Sequence, residues 1–359
     1  MQFKNVYKNK KILITGLSGF KGTWLAFWLN LLGAKVTGIS FDKKNFKSHF
    51  NQKTIINKRL NIQDISKLEQ YLIKIQPEII FHLAAQPLVI DSYEDPIDTW
   101  KTNLLGTANL LEVSKKIKKI KAIVIVTSDK CYKDNSSKSK YKENDELGGH
   151  DPYSASKAAT ELLVESYKLS FFNTNKSPKV ATVRAGNVIG GGDWGKNRII
   201  PDIMRSNYEK KDLIIRNLNS IRPWQHVLDC LSGYLLLCQN LILNKNLEIN
   251  SWNFGPSIKS KSSVINLLEY FQKHLPKLKY KKDIKYKLKK ESKYLMLNSS
   301  LANKKMKWKP ILTFAETLYF TKKWYSEYYK SNNLIYDKQL KDYFHMAIKR
   351  KAIWIKKDV

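Results

Sequence analysis

The sequence predicts an α/β protein built on a doubly wound parallel sheet, followed by a smaller lobe of mixed α/β structure. Two observations support this prediction. Short apolar strands alternate with helical patterns through the first half of the chain, and the alternation stops after residue 185. Strands that alternate with helices form parallel sheets, because each parallel connection needs a long crossover that a helix supplies. Right-handed crossovers then place helices on both faces of the sheet.

The predicted elements follow the hydrophobic pattern of the chain. Apolar runs predict strands at 11–15, 35–40, 79–82, 122–126 and 180–184. Helical periodicity predicts helices at about 21–32, 65–75, 99–116 and 154–172. Beyond residue 185, three consecutive glycines (190–192) and Pro201 interrupt any regular pattern. We expect a sheet domain of residues 1–185 with about 215–240, a smaller lobe of about 186–214 and 241–345, and a basic tail at 346–359.

The composition is that of a globular protein with a large excess of positive charge. The 359 residues include 64 Lys and Arg against 31 Asp and Glu, a formal net charge of +33. The lysines are spread along the chain, which favours solvated surfaces over the alternative, a polyanion-binding face. No apolar run approaches the roughly 18 residues that span a bilayer. Three cysteines are too few for a disulfide framework or a metal site. We expect a cytoplasmic protein with no metal, no nucleic-acid partner and no membrane partner.

The arginines are distributed differently from the lysines. Only seven occur, and five of them lie between residues 184 and 222. A guanidinium group binds phosphate oxygens through two parallel hydrogen bonds, which lysine cannot do. The cluster therefore predicts a phosphate-containing ligand, with structural ion pairs as the alternative. Its members are Arg184, Arg198, Arg205, Arg216 and Arg222.

A glycine-rich turn joins the first predicted strand to the first predicted helix. Glycine lets the backbone approach a pyrophosphate closely, and the helix start offers unpaired N–H groups to that anion. In this strand–turn–helix context the pattern predicts a Rossmann-type dinucleotide site, the alternative being a turn without a ligand. The residues of the turn are Gly16, Gly19, Phe20, Lys21 and Gly22.

The end of the second strand distinguishes NAD from NADP in sites of this kind. A carboxylate there hydrogen-bonds the ribose 2′-hydroxyl and repels a 2′-phosphate. Ser40 stands at the usual acidic position, and Asp42 follows two residues later. The sequence favours NAD, although the usual signature is not complete.

Tyr153 and Lys157 lie on one face of a predicted helix, because residues four apart are one turn apart. A free tyrosine, with a pKa near about 10, is too weak an acid to act as a base at neutral pH. A nearby ammonium group and a positively charged nicotinamide stabilise the phenolate and lower that pKa. Ser128, at the end of the strand at 122–126, would hydrogen-bond the same substrate hydroxyl. Together these residues predict a redox acid/base group.

With these motifs, the chain from about residue 10 to residue 330 resembles the extended short-chain dehydrogenases/reductases. Besides the glycine turn and the Tyr–Lys pair, the resemblance rests on segments 82–85, 103–107 and 184–190. Within that superfamily the chain resembles the nucleotide-sugar 4,6-dehydratases, and most closely their CDP-glucose branch, through segments 19–24, 85–89, 127–132, 190–194 and 221–227. The resemblance implies that NAD is also contacted by Asn61, Ile62, Leu83, Ala84, Ala85 and Asn103.

The pair after Ser128 separates the branches of this family. The related dTDP-glucose and GDP-mannose dehydratases have a glutamate base there, whereas here Asp129 is followed by Lys130. The resemblance implies that Tyr153 deprotonates the sugar O4 while NAD takes the C4 hydride. Lys130 then removes the C5 proton, directly or through water, Asp129 protonates the departing O6, and the hydride returns to C6. An ordinary polar loop is the alternative for Asp129 and Lys130, and a salt bridge between them would shift both pKa values in the wrong direction.

The resemblance also implies a nucleotide-sugar substrate and a role in deoxysugar biosynthesis for lipopolysaccharide or capsule. Asn187 would anchor the diphosphate with help from the arginines, and aromatic and apolar side chains would flank the base. The residues so implied are Gln86, Ser128, Asn187, Trp194, Arg198, Ile200, Pro201, Arg216, Arg222, Trp224 and His226, the last with a structural role as an equal alternative. Relatives pair through the helices at 99–116 and 154–172, so we expect a homodimer or a dimer of dimers.

Two rival functions stay open on the sequence alone. The first is a different 4,6-dehydratase, acting on a UDP- or GDP-sugar and possibly inverting C5. The second is a nucleic-acid-binding protein on a retired dehydrogenase fold, which only the charge suggests. An intact Ser128, Tyr153 and Lys157 argues against the second rival.

Overall fold

The computed structural model of the chain describes residues 1–41, 55–134, 140–215, 217–243, 247, 250–257, 261–282 and 295–356. In these residues the strands are β1 (Lys11–Thr15), β2 (Lys35–Ser40), β3 (Ile55–Arg59), β4 (Ile79–His82), β5 (Ala122–Val126), β6 (Lys179–Arg184), β7 (Val188–Ile189), β8 (Leu213–Ile215), β9 (Ile221–Pro223), β10 (Gln225–His226), β11 (Ser251–Asn253), β12 (Lys261–Ser263) and β13 (Tyr280–Lys282).

The helices of the same residues are α1 (Phe20–Leu31), α2 (Ile65–Ile75), α3 (Val89–Glu94), α4 (Pro96–Trp100), α5 (Gly106–Ser114), α6 (Pro152–Phe171), α7 (Ile199–Glu209), α8 (Val227–Ile242), α9 (Val264–His274), α10 (Ser300–Met306), α11 (Phe314–Ser331) and α12 (Tyr336–Lys349). A π-helical turn, Lys101–Leu105, joins α4 to α5, and a 3₁₀ turn, Asp129–Cys131, follows β5. The helix expected at 99–116 therefore contains a π turn, a feature that often marks a functional region.

One parallel sheet forms the centre of the molecule, with the strand order β11-β6-β5-β4-β1-β2-β3. This order is the doubly wound arrangement that the sequence predicted, because the chain winds outward in both directions from β1. The five expected strands are present, and β3 and β11 extend the sheet at its two edges. Sequence reading missed β3 because it lies at an edge, where Ile55 is buried but Ile56 is 62% exposed.

The core lies on both faces of this sheet. In β5, Ile123 and Ile125 pack on one face, while Ala122 and Val124 pack on the other, because successive strand residues point to opposite sides. The first face is covered by α2 and α5, and the second by α1 and by α8, of which nearly every residue is buried. Parallel strands buried on both faces explain the near-continuous apolar runs in the sequence.

Short strand pairs and helices surround the carboxyl ends of the central strands. β8 pairs with β13, β9 with β12 and β7 with β10. The segment expected as a basic tail is partly helical, since α12 continues to Lys349. Beyond it, Trp354 is buried and stacks on Phe3 with ring centroids 5.1 Å apart. Residues up to 356 are thereby attached to the start of the chain.

The described residues include neither a helix that could span a membrane nor a group of side chains typical of a metal site. None of the helices observed there has the length and apolar character needed to cross a membrane. Within the same ranges, no three His, Cys, Asp or Glu side chains are grouped as a metal site would require.

Candidate active site

A cavity of about 1060 Å³ opens at the carboxyl ends of the sheet strands. Its walls are the glycine turn after β1, the ends of β2, β4, β5 and β6, the start of α6, and segments from the smaller strand pairs. Ligands of doubly wound sheets bind at this edge, where the strand order reverses direction. The cavity therefore lies where the sequence predicts both cofactor and substrate.

The glycine turn has the geometry of a dinucleotide cradle. Gly16 has a φ of +72°, and a Cβ there would lie 2.7 Å from the backbone nitrogen of Ala84. A Cβ on Gly22 would lie 2.2 Å from the carbonyl oxygen of Gly16, so the helix packs directly on the turn. No side chain caps the start of α1, where Gly19 is the N-cap residue. Unpaired N–H groups at a helix start suit a pyrophosphate, so these residues fit NAD.

Most of the other residues that were predicted to contact the cofactor line the cavity. Phe20, Lys21, Asn61, Ile62, Leu83, Ala84 and Ala85 all line the cavity. Ser40 also borders it, but its hydroxyl accepts a hydrogen bond from the Ser18 N–H at 3.0 Å and donates to Asn57 Oδ1 at 3.2 Å. Ser40 thus supports the glycine turn. Asp42 lies outside the described residues.

Asn103 lies beside the cavity, not in its wall. It is 1% exposed, and its amide donates to the carbonyl of Gln86 at 3.1 Å and to the Ser156 hydroxyl at 2.9 Å. The side-chain oxygen of Asn103, Oδ1, accepts a hydrogen bond from the Gln86 N–H at 2.8 Å. Both ends of the amide are therefore occupied, which corrects its assignment as a cofactor contact. Asn103 fixes the segment after β4 against α6.

Tyr153 and Lys157 both reach the cavity from the first turns of α6. Asp151 caps this helix by accepting from the Ser154 N–H at 2.9 Å, and Pro152 occupies its first turn. The Lys157 ammonium donates to the Val126 carbonyl at 3.3 Å. Burial, reinforced by the charge of Lys21, lowers the pKa of Lys157 to about 8.

The pKa of Tyr153 is raised in this structure, whereas the sequence predicted that it would be lowered. Burial raises the pKa of Tyr153 to about 12, against a hydrogen bond with Ser128 that favours the phenolate. Burial of the phenol disfavours the phenolate, and this effect is larger than the stabilisation of the phenolate by neighbouring groups. Without the cofactor, the surroundings of Tyr153 therefore favour the protonated phenol.

Ser128, Asp129 and Lys130 form a compact turn at the end of β5. The Ser128 hydroxyl accepts from the Lys130 N–H at 3.2 Å and donates to Asp129 Oδ1 at 3.0 Å. The Asp129 N–H donates to the carbonyl of Ala185 at 3.1 Å. Asp129 is 5% exposed, and burial raises the pKa of its carboxyl although Lys130, Lys21 and Arg222 oppose that shift. Burial at a cavity wall favours the protonated carboxyl, which is the form that a general acid needs.

Lys130 borders the cavity beside Asp129. The ion pairs of the described residues include no contact within 4 Å between these two side chains. The salt bridge that would oppose their predicted roles is therefore not formed in this structure.

The arginine cluster contains both of the arrangements that the sequence allowed. Arg184 forms a buried, bidentate ion pair with Glu161, and Arg205 forms an ion pair with Asp202 at 2.7 Å. Arg198 and Arg222 line the cavity, where Arg198 contacts Asp193 at 3.0 Å. Arg216 lies outside the described residues. Two guanidinium groups are thus placed for a phosphate ligand.

The predicted substrate residues are likewise divided by the structure. Gln86, Asn187, Ile200, Pro201 and Trp224 line the cavity. The amide of Gln86 is already used within its own loop, donating to Leu88 and Thr99, so it shapes the wall and is not available for a substrate.

Trp194 and His226 do not reach the cavity, and both assignments are corrected. Trp194 packs among the aromatic rings of α11, with its centroid 4.9 Å from that of Tyr328. His226 is fully buried in the core, where its Nδ1 accepts from the Leu228 N–H at the start of α8. Burial lowers the pKa of His226 to about 3, so it is a neutral structural residue.

The fold and this site define a dehydrogenase-type enzyme with a dinucleotide cradle, a Ser–Tyr–Lys group and a cavity wall that contains two arginines. A family model described as GDP-mannose 4,6 dehydratase matches residues 13–321. The CDP-glucose 4,6-dehydratase of Salmonella typhimurium is 41% identical over 350 residues, which cover 92% of this chain and 95% of that protein. The chain belongs to the nucleotide-sugar 4,6-dehydratase family.

Two solved structures share the fold. The UDP-glucose 4-epimerase of Thermotoga maritima, solved with UDP-glucose, superposes with a TM-score of 0.77 at 23% identity, covering 90% of this chain and 99% of the epimerase. The dTDP-glucose 4,6-dehydratase of Bacillus anthracis, solved with NAD, gives a TM-score of 0.71 at 22% identity over 88% of this chain and 96% of that one.

Proposed function

We propose that this enzyme converts CDP-glucose into CDP-4-keto-6-deoxyglucose and water, using a tightly bound NAD. The observation that supports this function most strongly is the turn at the end of β5. It holds a buried Asp129 and an adjacent Lys130 at the same cavity as Tyr153 and Lys157. A simple dehydrogenase or epimerase needs only the Tyr–Lys pair, whereas loss of water needs a second acid and base.

NAD supplies the redox chemistry when bound, accepting a hydride from the sugar C4 and returning it to C6. The glycine turn would hold its pyrophosphate, and residues 61–62 and 83–85 would line the rest of its site. Lys157, with its pKa lowered to about 8, places a positive charge near Tyr153 at neutral pH. That charge and the cofactor's own would together lower the pKa of the phenol.

The protein's own residues act first at the 4-hydroxyl. Tyr153 takes the proton from O4 as the C4–H bond breaks, and Ser128 hydrogen-bonds the same oxygen. The resulting 4-ketone withdraws electrons from C5 and makes the C5 proton acidic. Tyr153 takes this proton as its phenolate, whose negative charge Lys157 can compensate from one helical turn away.

The turn residues then carry out the elimination. Lys130 removes the proton from C5, a double bond forms between C5 and C6, and the C6–O6 bond breaks. Asp129 gives its proton to O6, which leaves as water. The burial that raises the pKa of Asp129 favours the protonated form that this step needs.

The substrate's phosphates would lie against the cavity wall opposite the glycine turn. Arg198 and Arg222 supply guanidinium groups there, and Asn187 supplies an amide. Trp224 is held rigidly, since its indole N–H donates to the Ser262 carbonyl at 3.1 Å, and it borders the same region. A base could pack against it with little loss of side-chain entropy.

The experiment that tests this function compares candidate substrates directly. Purified enzyme with NAD is incubated separately with CDP-, dTDP- and UDP-glucose and with GDP-mannose, and mass spectrometry follows the loss of one water. Only CDP-glucose should be dehydrated with a high kcat/KM. Equal or faster dehydration of another nucleotide-sugar would overturn the assignment of the base, and no dehydration of any would overturn the function.

We also propose that the enzyme is a homodimer, or a dimer of dimers, paired through α4–α5 and α6. Large apolar side chains are exposed on both segments. Ile97 and Leu105, eight residues apart, are 61% and 53% exposed, and Leu162 and Leu169, seven residues apart, are 58% and 63% exposed. Exposed apolar side chains on a helix pair suit a self-complementary interface.

We propose further that it works in the cytoplasm and supplies a deoxysugar precursor for lipopolysaccharide or capsule. Cys131, Cys230 and Cys238 are all free thiols, which suits a reducing compartment.

A further inference from the structure

Beneath the Ser128–Lys130 turn lies a buried ion pair that the steps above do not use. Arg184 and Glu161 are 2% and 5% exposed. The guanidinium Nε and Nη2 donate to the two carboxylate oxygens at 2.9 and 2.7 Å. Thr182 adds a third donor to the carboxylate at 2.6 Å. Charges that are buried this deeply need ion-pair and hydrogen-bond partners for all their polar atoms. The position of this pair is therefore strongly constrained.

Both ends of the catalytic turn are attached to this pair. Thr127, immediately before Ser128, donates its hydroxyl hydrogen bond to Glu161. Tyr132, two residues after Lys130, accepts from Arg184 Nη1 at 2.7 Å and donates to Asn253 Oδ1 at 2.8 Å. We refer to Thr127, Tyr132, Glu161 and Arg184 as the buried clamp.

The same pair is attached to the helix of the redox residues. Tyr153, Lys157 and Glu161 follow one another at four-residue intervals on α6, so they share one face of that helix. Glu161 lies one turn beyond Lys157 and reaches the turn residues through Thr127. The clamp therefore connects the part of the site that acts at C4 with the part that acts at C5 and C6.

We propose that the buried clamp is a positioning device that fixes Asp129 and Lys130 relative to Tyr153 and Lys157. This inference rests on the function proposed above. C4, C5 and C6 belong to one sugar, so the groups that serve them must keep a fixed separation while the substrate stays in place. Small displacements of catalytic groups are costly, since a shift of about 1 Å can slow a reaction roughly 10²-fold.

The test loosens the turn without touching the residues that carry protons. Thr127→Val removes the tie to Glu161 with little change of shape, and Tyr132→Phe removes the tie to Arg184 while keeping the ring. Tyr7→Phe is the matched control, because it deletes another buried tyrosine hydroxyl, which donates to the Leu235 carbonyl. Single-turnover experiments with CDP-glucose then measure the two half-reactions separately. Absorbance of the reduced cofactor reports chemistry at C4, and loss of water reports the elimination.

In both clamp variants the elimination should slow by about 10- to 100-fold. The C4 step should slow much less, because the turn contributes only the Ser128 hydrogen bond to it, so reduced cofactor accumulates. The control should match the unmodified enzyme in both steps. Equal slowing of both steps in the clamp variants, as a general loss of structure would give, overturns the inference, and so does an unchanged elimination. Should Thr127→Val not fold, Tyr132→Phe decides the matter alone. Failure of the unmodified enzyme to dehydrate CDP-glucose would instead refute the proposed function.

Discussion

Gly186 lies directly against the carboxylate of Asp129. A Cβ added at position 186 would come within 2.8 Å of Asp129 Oδ2, closer than real Cβ contacts allow. The preceding residue, Ala185, accepts the backbone N–H of Asp129 at 3.1 Å, so the main chain of Asp129 is fixed and its carboxylate is the part that would have to shift. Gly186, which has no side chain, thus leaves the space that the carboxylate of Asp129 occupies.

Gly186→Ala is therefore expected to displace the Asp129 carboxylate and slow the loss of water by about 10- to 100-fold. Hydride removal from C4 should be much less affected, because Tyr153 lies on a different element. Single-turnover rates of the two half-reactions provide the measurement. Gly148→Ala serves as the control, since its Cβ would meet Lys133, 3.3 Å from that residue's Cβ and 3.6 Å from its Cα, and would not approach Asp129. An unchanged rate of water loss in Gly186→Ala would contradict this account of the acid's position.

The division of roles within the turn predicts different defects from different substitutions. Asp129→Asn and Lys130→Ala should each slow elimination by about 10²–10⁴-fold, the usual contribution of a general acid or base. Both should retain the C4 step better than Tyr153→Phe, which removes the base for O4. Rapid-quench product analysis separates these cases. The same loss of C4 chemistry in all three variants would show that the roles are not divided in this way.

Substrate binding should depend on the arginines of the cavity wall. Arg222→Ala is expected to raise KM for CDP-glucose by about 10- to 100-fold with a smaller change in kcat, since a hydrogen bond to a charged group contributes about 1.5–3 kcal/mol. Arg205→Ala is the control, because Arg205 is committed to Asp202 and to the carbonyl of Gly195. Steady-state kinetics measure both. A KM shift in the control as large as that in Arg222→Ala would argue against a specific phosphate contact.

The buried His226 predicts how stability responds to acid. Burial lowers its pKa to about 3, so between that value and the unfolded value near about 6.5 only the unfolded state binds the proton. Its contribution to stability is complete above the unfolded pKa and is lost as pH falls through this window. His226→Asn should therefore reduce the pH slope of the unfolding free energy by about 1.4 kcal/mol per pH unit.

Urea titrations from pH 7 to pH 4 measure this slope for both proteins. Asp129 and Asp229 have raised pKa values and act in the opposite direction, so the comparison with the unmodified protein is the informative quantity. Parallel slopes would mean that His226 is protonated in the folded state.

Local patterns were sufficient to predict the sheet and to identify the glycine turn, Tyr153 and Lys157, which line one cavity. β1 and the glycine turn are defined by consecutive residues, and Tyr153 and Lys157 by one helical turn, so their relation is visible in the sequence. Predictions that depended on long-range packing were less successful. Trp194 and His226 have residue types typical of binding sites, but their surroundings come from α11 and from the start of α8.

The same limit applies to the support of the site. The contact between Gly186 and Asp129, and the pair of Arg184 with Glu161, join residues from different elements. In the sequence, Arg184 belongs to the arginine cluster and to segment 184–190 of the family resemblance. Nothing in the spacing distinguished its buried ion pair from the cavity positions of Arg198 and Arg222, because tertiary packing decides which guanidinium meets a carboxylate.

The most direct test of the account follows one hydrogen through the reaction. CDP-glucose carrying deuterium at C4 is incubated with the enzyme, and the position of the label in the product is determined by NMR. The account predicts a 4-keto-6-deoxy product with deuterium at C6, together with a solvent-derived proton at C5 and no net reduction of the cofactor. Deuterium retained at C4, or released to solvent without appearing at C6, would contradict it.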